Sequence, residues 1–245
     1  MEQSPAPVTY VTRIMQDEFG AHLEGILWTG SRVTGRAQMN SDWDFFVIHD
    51  ALWRQRRMFE VAGDEVELFI NPVDQILREY AAEESATVGM FAEGRVVLDP
   101  HGTMQRLVDE AQRRWRQPPM PWTVAERDQW RYETVDLLKD VEDVMADDPD
   151  SASYLIGLTV QKLLEGYYRL NGRWEPKPKY VLPDIAGQSS NMAFKLRMAM
   201  GATQSMTNRY QAVKELVESV QRPLGGYLHE WQTDREDVSK WVPES

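Results

Sequence analysis

The sequence predicts an α+β protein in which a small mixed-sheet domain precedes an all-α helical bundle. Short apolar segments of strand length, separated by turns and helices, fill the first part of the chain. Long segments with helical periodicity fill the second part. Between them, the segment QPPMPW has three prolines in four positions, and a helix cannot continue through it. We therefore expect two domains, over residues 1–118 and 119–245.

The first domain is expected to alternate strands and helices. A helix is predicted over residues 7–19, where apolar side chains recur at helical spacing. The segment DFFVIHD is apolar on both faces, which indicates a strand in the middle of the sheet. In DEVELFINP, one face carries Val66, Leu68 and Ile70, while Glu67 and Phe69 share the other. The predicted strands lie within 23–30, 44–50, 64–72 and 94–102, and further helices within 72–85 and 103–117.

The second domain is expected to consist of helices. Two long amphipathic helices are predicted over residues 126–148 and 151–172, the second ending at Asn171-Gly172. The segment EPKPKYVLPDI predicts an extended connection. Three more helices are expected around residues 191–200, 206–221 and 226–241.

Composition narrows the class of function. The net charge is −12 and both halves are acidic, which argues against broad binding to nucleic acid or anionic membranes. The absence of cysteine excludes disulfides, thiolate zinc sites and thiol nucleophiles. No apolar run approaches the ~20 residues of a membrane span, and the N-terminus has no features of a secretion signal. We expect a cytoplasmic monomer or homodimer.

Two aspartates at the start of the central strand predict a metal site. Side chains two residues apart on a strand point the same way, so Asp42 and Asp44 can share a ligand. Carboxylates this close repel each other unless a cation lies between them, and Mg²⁺ prefers such oxygen ligands. Glu67 lies on the next predicted strand and completes a three-carboxylate cluster if the two strands are neighbours.

A glycine-containing turn precedes this strand and is suited to bind phosphate. Gly30 allows the backbone to approach a phosphate closely, and Ser31 offers its hydroxyl and its amide to phosphate oxygens. Arg32 and Arg36 add positive charge at the same point. Alone, each of these features is common on protein surfaces.

The complete spacing from the glycine turn to the two aspartates is more specific than any one of these features. Gly30-Ser31, ten residues and then Asp42-Trp43-Asp44 at the head of an apolar strand resembles the G-S-x10-D-x-D pattern of polymerase-β-like nucleotidyltransferases. Ser41 falls in SDWDFFVI, which is similar to the Ser-Asp-x-Asp of that family. The motif-level resemblance covers about 40 residues, and a fold match is expected over residues 8–118.

The resemblance implies a role for each motif residue. Asp42 and Asp44 would bind Mg²⁺, and Glu67 would be a third ligand or the general base. The nucleotide triphosphate, ATP, would be held by Gly30 and Ser31 with Arg32 and Ser41 beside them. The family more commonly has aspartate at position 67. Glutamate there is similar to the single-chain antibiotic adenylyltransferases, in which it can serve as catalytic base.

The domain layout also resembles the aminoglycoside nucleotidyltransferases, in which a helical domain follows the catalytic one. A helical domain of this kind forms the second wall of a small-molecule pocket. Acidic side chains on it would suit a polycationic acceptor, and Glu133, Asp136 and Asp140 fall at helical spacings. We include Glu133 among the catalytic candidates, as a residue that would bind an amine or deprotonate the acceptor hydroxyl. The expected reaction is AMP transfer from ATP to a hydroxyl of a small molecule.

Two other hypotheses remain open. One is a nucleotidyltransferase of a toxin–antitoxin or regulatory system that modifies a protein or RNA partner. Arg169 and Arg173 in the helical part are followed by no histidine at the R-x4–6-H spacing of a ribonuclease motif. The other is a catalytically inactive nucleotide-binding scaffold, which the intact Asp42 and Asp44 pair disfavours.

Overall fold

The computed structural model describes residues 5–235 and 237, and the chain divides into two compact units. The first unit ends at Pro119 and the second begins at Met120. The first combines a sheet with helices, and within the described residues the second contains only helices and connecting segments. The predicted α+β class is therefore confirmed.

The first unit is built on a mixed five-stranded sheet with the strand order β3-β4-β2-β1-β5. β2 and β4 pair in parallel, and the other neighbouring strands are antiparallel. The elements of this unit are, in chain order, α1 (Ala6–Phe19), β1 (Leu23–Thr29), β2 (Trp43–His49), β3 (Gln55–Val61), β4 (Asp64–Pro72), α2 (Val73–Ala81), α3 (Ser85–Ala92), β5 (Arg95–Leu98) and α4 (Thr103–Trp115).

The central strand β2 is buried along its whole length, as its two-faced apolar pattern predicts. One face of the sheet packs against α1, where Val11 and Met15 meet Phe45 and Leu68 in a single core. On the opposite face, Phe46 contacts Phe91 of α3 at a ring-centroid distance of 4.6 Å. Because β2 and β4 run parallel, their first residues lie at the same edge of the sheet.

Two features of the first unit differ from the prediction. The edge strand β3 was not predicted, because its sequence QRRMFEV alternates charged and apolar residues and leaves mostly exposed or half-exposed side chains. The helix expected over residues 72–85 ends early, at Ala81. Glu83 adopts a left-handed conformation with φ +55°, which a helix cannot contain, and the separate helix α3 follows.

The second unit packs its helices around one apolar core. The pair α5 and α6 meets where Gly166 lies under Trp130, whose indole N–H donates to the Lys162 carbonyl oxygen at 2.7 Å. Its helices are α5 (Val124–Val144), α6 (Pro149–Leu170), α7 (Pro178–Gln188), α8 (Ser190–Met200) and α9 (Met206–Gln221), followed by a short 3-10 helix (Arg222–Leu224). Of the helices described in this chain, none has the length and apolar character needed to cross a membrane.

Two predictions in the second unit are wrong. Most of the expected extended connection EPKPKYVLPDI belongs to α7, because Pro178 starts the helix where no N–H is needed and Pro183 is accommodated inside it. The helix predicted over 226–241 does not form at residues 226–235, and Gly225 and Gly226 at its expected start take positive φ values of +93° and +81°. Residues 236 and 238–241 of that prediction lie outside the described residues.

Candidate active site

Three carboxylates converge at the edge of the sheet where β2 and β4 begin. In the parallel pairing of these strands, Asp44 lies directly opposite Glu67. Asp42 precedes Asp44 by two residues and reaches the same place, so that one ligand atom of each residue lies within 4.8 Å of the other two. Asp44 is buried, with 5% of its surface exposed, while Asp42 and Glu67 are half-buried. The structure thus brings together the three residues predicted to bind metal.

The donor set of this cluster fits a hard divalent cation. All three ligands are carboxylate oxygens, the type that Mg²⁺ prefers, and Mg²⁺ keeps further coordination positions for water or phosphate. Three negative charges at this distance repel each other strongly in a half-buried place, and a cation between them relieves that repulsion. The residues present therefore fit the metal that the sequence predicts.

The Gly-Ser turn begins beside this cluster because of how the sheet is paired. Thr29, the last residue of β1, lies opposite Asp44 in the antiparallel pairing of β1 with β2. The Thr29 hydroxyl donates to the carbonyl oxygen of Met90 in α3, which fixes the end of the strand. Gly30 follows with φ +82°, a conformation that favours glycine. A β-carbon on Gly30 would lie 1.9 Å from Oδ2 of Asp44, so only glycine leaves room for that carboxylate.

The turn itself is held by local hydrogen bonds. The Thr34 amide donates to the Gly30 carbonyl oxygen at 3.3 Å, and the Arg36 amide donates to that of Ser31 at 2.9 Å. Arg36 also forms an ion pair with Glu93 at the end of α3. Ser31 is half-buried and lies one residue from the glycine that borders Asp44. The residues predicted to bind phosphate are therefore next to the carboxylates.

Arg32 and Ser41 hold the loop between the turn and β2. The Arg32 guanidinium donates to the Ser41 carbonyl oxygen at 2.6 and 3.0 Å and to that of Asp42 at 3.2 Å. It also pairs with Asp64 at 3.0 Å and lies over the Trp43 ring, 4.8 Å from the centroid. The Ser41 hydroxyl accepts a hydrogen bond from the backbone N–H of Gln38 at 2.8 Å. Both residues thus position the start of β2, and their binding of nucleotide stays a prediction.

Sequence reasoning missed Arg56, which lies on the unpredicted strand β3. Its Nε is 2.7 Å from Oε1 of Glu67, and its guanidinium lies 4.6 Å from the Phe69 ring centroid. The hydrogen bond to Glu67 raises the pKa of Arg56, and the negative charges of Asp44 and Asp42 add to that effect. The negative charges of all three carboxylates therefore act on Arg56 and stabilise its charged form. The only sequence signal was a basic residue eleven positions before Glu67, which no motif marks.

Glu133, the remaining predicted catalytic residue, lies on α5 in the second unit. Its carboxylate forms an ion pair with Lys162 at 2.6 Å and accepts a hydrogen bond from Gln129 at 2.8 Å. Partial burial raises the pKa of Glu133, but the bonds from Lys162 and Gln129 outweigh it and the pKa lies below its ordinary value. A carboxylate with a lowered pKa is a weaker base, and the catalytic role of Glu133 stays a prediction.

A mixed sheet that carries paired aspartates and a third carboxylate beside a Gly-Ser turn offers ligands for a divalent cation and donors for phosphate at one place. Residues 9–98 match the family model described as a nucleotidyltransferase domain. The first unit therefore carries a nucleotidyltransferase domain, and this match supports enzyme activity as a nucleotidyltransferase. The match confirms the domain and the enzyme class predicted from the G-S-x10-D-x-D spacing.

A solved structure gives a likeness in fold. A nucleotidyltransferase-like protein from Exiguobacterium sibiricum 255-15 superposes with a TM-score of 0.53 at 11% identity, covering 87% of this chain and 74% of that one. A spectinomycin adenyltransferase from Enterococcus faecialis, solved with ATP and spectinomycin, gives a TM-score of 0.38 at 13% identity, covering 87% of this chain and 98% of that one. A TM-score of 0.38 does not establish a shared fold. No curated protein matches the chain significantly.

Proposed function

We propose that the protein is a magnesium-dependent adenylyltransferase that transfers AMP from ATP to a hydroxyl group of a small molecule. The observation that carries the proposal is the cluster of Asp42, Asp44 and Glu67, whose ligand atoms lie within 4.8 Å of one another beside the Gly30-Ser31 turn. The cluster supplies ligands for metal, and the turn supplies donors for the triphosphate. Residues 1–118 are the catalytic domain in this proposal, and residues 119–245 bind the acceptor.

In the reaction, the acceptor oxygen forms a bond to the α-phosphorus of ATP, and the bond from that phosphorus to the bridging oxygen of pyrophosphate breaks. Mg²⁺ bound at the cluster would activate the hydroxyl and neutralise the charge of the leaving pyrophosphate. Asp42 and Asp44 hold the metal, and the backbone of Gly30 and the hydroxyl of Ser31 orient the phosphates. The proton of the hydroxyl goes to a carboxylate, for which Glu67 is the first candidate and Glu133 the second.

The charge of the second unit favours a cationic acceptor such as an aminoglycoside. A cleft of about 580 Å³ lies between the start of α5 and residues 228–234. Its acidic lining residues are Asp128, Glu230 and Asp234, and Trp231 adds an aromatic surface. The described lining contains no basic side chain, and of its acids Asp128 is paired with Arg131 at 3.0 Å. Carboxylates and an aromatic face are the groups that bind organic amines. An ATP donor also accords with the cytoplasmic location predicted from the sequence.

The test is incubation of the protein with Mg²⁺, a panel of aminoglycosides and ATP labelled either at the α- or at the γ-phosphorus. The proposal predicts that the α-label moves to the acceptor and that the γ-label appears in pyrophosphate. The Asp44→Asn variant is the control. It should neither transfer the α-label to the acceptor nor release labelled pyrophosphate. Transfer of the γ-label to the acceptor would identify a kinase instead. Transfer of the α-label only to a co-purified protein or RNA would support the regulatory alternative.

A further inference from the structure

We propose that Arg56 is the counterion of the metal-free active site, and that a divalent cation must displace its guanidinium from Glu67 in order to bind. The inference rests on the proposed function, because it treats the three carboxylates as the metal site. It adds a residue that the family motif does not contain and gives it a role in the order of binding.

The position of Arg56 follows from the register of the sheet. In the antiparallel pairing of β3 with β4, Arg56 lies opposite Phe69, and Met58 lies opposite Glu67. Arg56 is therefore the diagonal neighbour of Glu67 on the same face, close enough for the 2.7 Å bond between Nε and Oε1. The next residue, Arg57, points to the opposite face and pairs with Glu18 of α1 at 2.7 Å.

The cation and the guanidinium compete for the same carboxylate. A Glu67 oxygen that accepts from Arg56 is less available to a metal, and two positive groups in one cluster repel each other. Arg56 is the partner free to move, because 67% of its side chain is exposed, compared with 19% for Glu67. An ion pair this exposed is weak, so its loss should change metal affinity by about two- to five-fold rather than by orders of magnitude.

When a nucleotide binds, its phosphate oxygens can accept hydrogen bonds from the Arg56 guanidinium that the metal has displaced. Phosphate oxygens accept hydrogen bonds from arginine in the same forked geometry as a carboxylate does. Arg56 therefore opposes the binding of metal alone and favours the binding of metal together with a triphosphate. Removing the guanidinium should change these two affinities in opposite directions, which loss of a merely structural contact would not do.

The experiment compares Arg56→Ala with the matched control Arg57→Ala, the adjacent arginine on the other face. Binding of Mn²⁺ alone is measured from the electron paramagnetic resonance signal of the free ion. Binding of α,β-methylene-ATP with Mg²⁺ is measured by calorimetry. We expect Arg56→Ala to bind Mn²⁺ about two- to five-fold more tightly than the wild type and the ATP analogue more weakly, while Arg57→Ala changes neither.

The outcomes separate this inference from the function on which it rests. If the wild type binds Mn²⁺, Asp44→Asn does not, and Arg56→Ala binds it no more tightly than the wild type, the counterion role is overturned. Unchanged affinity of Arg56→Ala for the analogue would overturn the coupling to nucleotide. If the wild type binds no Mn²⁺, or Asp44→Asn binds it equally well, the carboxylate cluster is not a metal site and the proposed function fails as well.

Discussion

The carboxylate of Asp44 occupies the space in which any side chain at position 30 would begin. A β-carbon on Gly30 would lie 1.9 Å from Oδ2 of Asp44 and 2.8 Å from its Cγ. The glycine of the turn and the buried carboxylate of the three-acid cluster therefore depend on each other. The sequence motif joins them across a loop of more than ten residues, but in the structure they are in direct contact through the pairing of β1 with β2.

This contact predicts the effect of Gly30→Ala. The new methyl group has to push the Asp44 carboxylate out of the cluster, and the φ of +82° adds strain, for a total of about 1–3 kcal/mol. We expect the variant to remain folded but to lose Mn²⁺ binding and AMP transfer. Circular dichroism, urea unfolding and a Mn²⁺ titration measure these effects.

The matched control is Gly35→Ala in the same turn. Gly35 also has a positive φ, of +70°, but a β-carbon there would meet nothing within 4 Å. The Gly35→Ala substitution should therefore cost about 1 kcal/mol of backbone strain, and the variant protein should keep the metal affinity of the wild type. Equal metal affinity in the two variants would show that Asp44 moves aside without leaving the cluster.

Replacing the paired aspartates tests the metal assignment directly. Asp42→Asn and Asp44→Asn each remove a charged ligand, and we expect AMP transfer to fall by about 10²-fold or more because a bound metal stabilises the transition state by several kcal/mol. The fold should persist, since an amide occupies the same volume. Asp17→Asn, an exposed change on α1, controls for the loss of one negative charge. Turnover that survived in both cluster variants would contradict the assignment.

The parts of the site that could be predicted from the sequence depend on short-range patterns. Asp42 and Asp44 are two residues apart at the start of β2, so strand geometry alone brings them together. Glu67 stands on an evident face of β4 and joins them through the parallel pairing of β4 with β2. Arg56 has no such signal, because β3 becomes a strand only through its pairing with β4. Likewise, the two prolines of α7 argue against a helix in the sequence, but packing of Val181 and Ile185 in the core stabilises one.

Arg32 allows a test of two roles at one residue. Its bonds to the carbonyl oxygens of Ser41 and Asp42 hold the loop before β2, whereas the family resemblance implies a contact with nucleotide. Arg32→Ala should destabilise the fold by about 1–3 kcal/mol, because the partly buried carbonyl oxygens of Ser41 and Asp42 lose their donor. Arg32→Lys keeps the charge but not the forked donor geometry.

The lysine variant distinguishes the two roles of Arg32. A loop-holding role predicts that Arg32→Lys resembles Arg32→Ala in urea unfolding and in affinity for the ATP analogue. If the charge alone matters for phosphate binding, Arg32→Lys should instead retain most of the nucleotide affinity of the wild type.

His49, the last residue of β2, should make stability depend on pH. Its ring is buried against Phe19 and Trp53, and its Nδ1 accepts the Ala51 amide at 3.1 Å, which requires that nitrogen to be unprotonated. Burial lowers the pKa of His49 below its ordinary value of 6.5. The unfolded chain therefore takes up the proton more readily, so the contribution of His49 is complete above about pH 6.5 and is lost as the pH falls through its folded pKa.

The nearby His22 works in the opposite direction, because its hydrogen bond to Asp50 raises its pKa and makes its protonation favour the folded state. The effect of His49 is isolated by comparing the wild type with His49→Gln. Urea unfolding at pH 7.5 and pH 5.5 should show the variant less stable at pH 7.5, with a smaller difference at pH 5.5. A stability difference that stays constant between the two pH values would mean that His49 is not protonated on unfolding in this range.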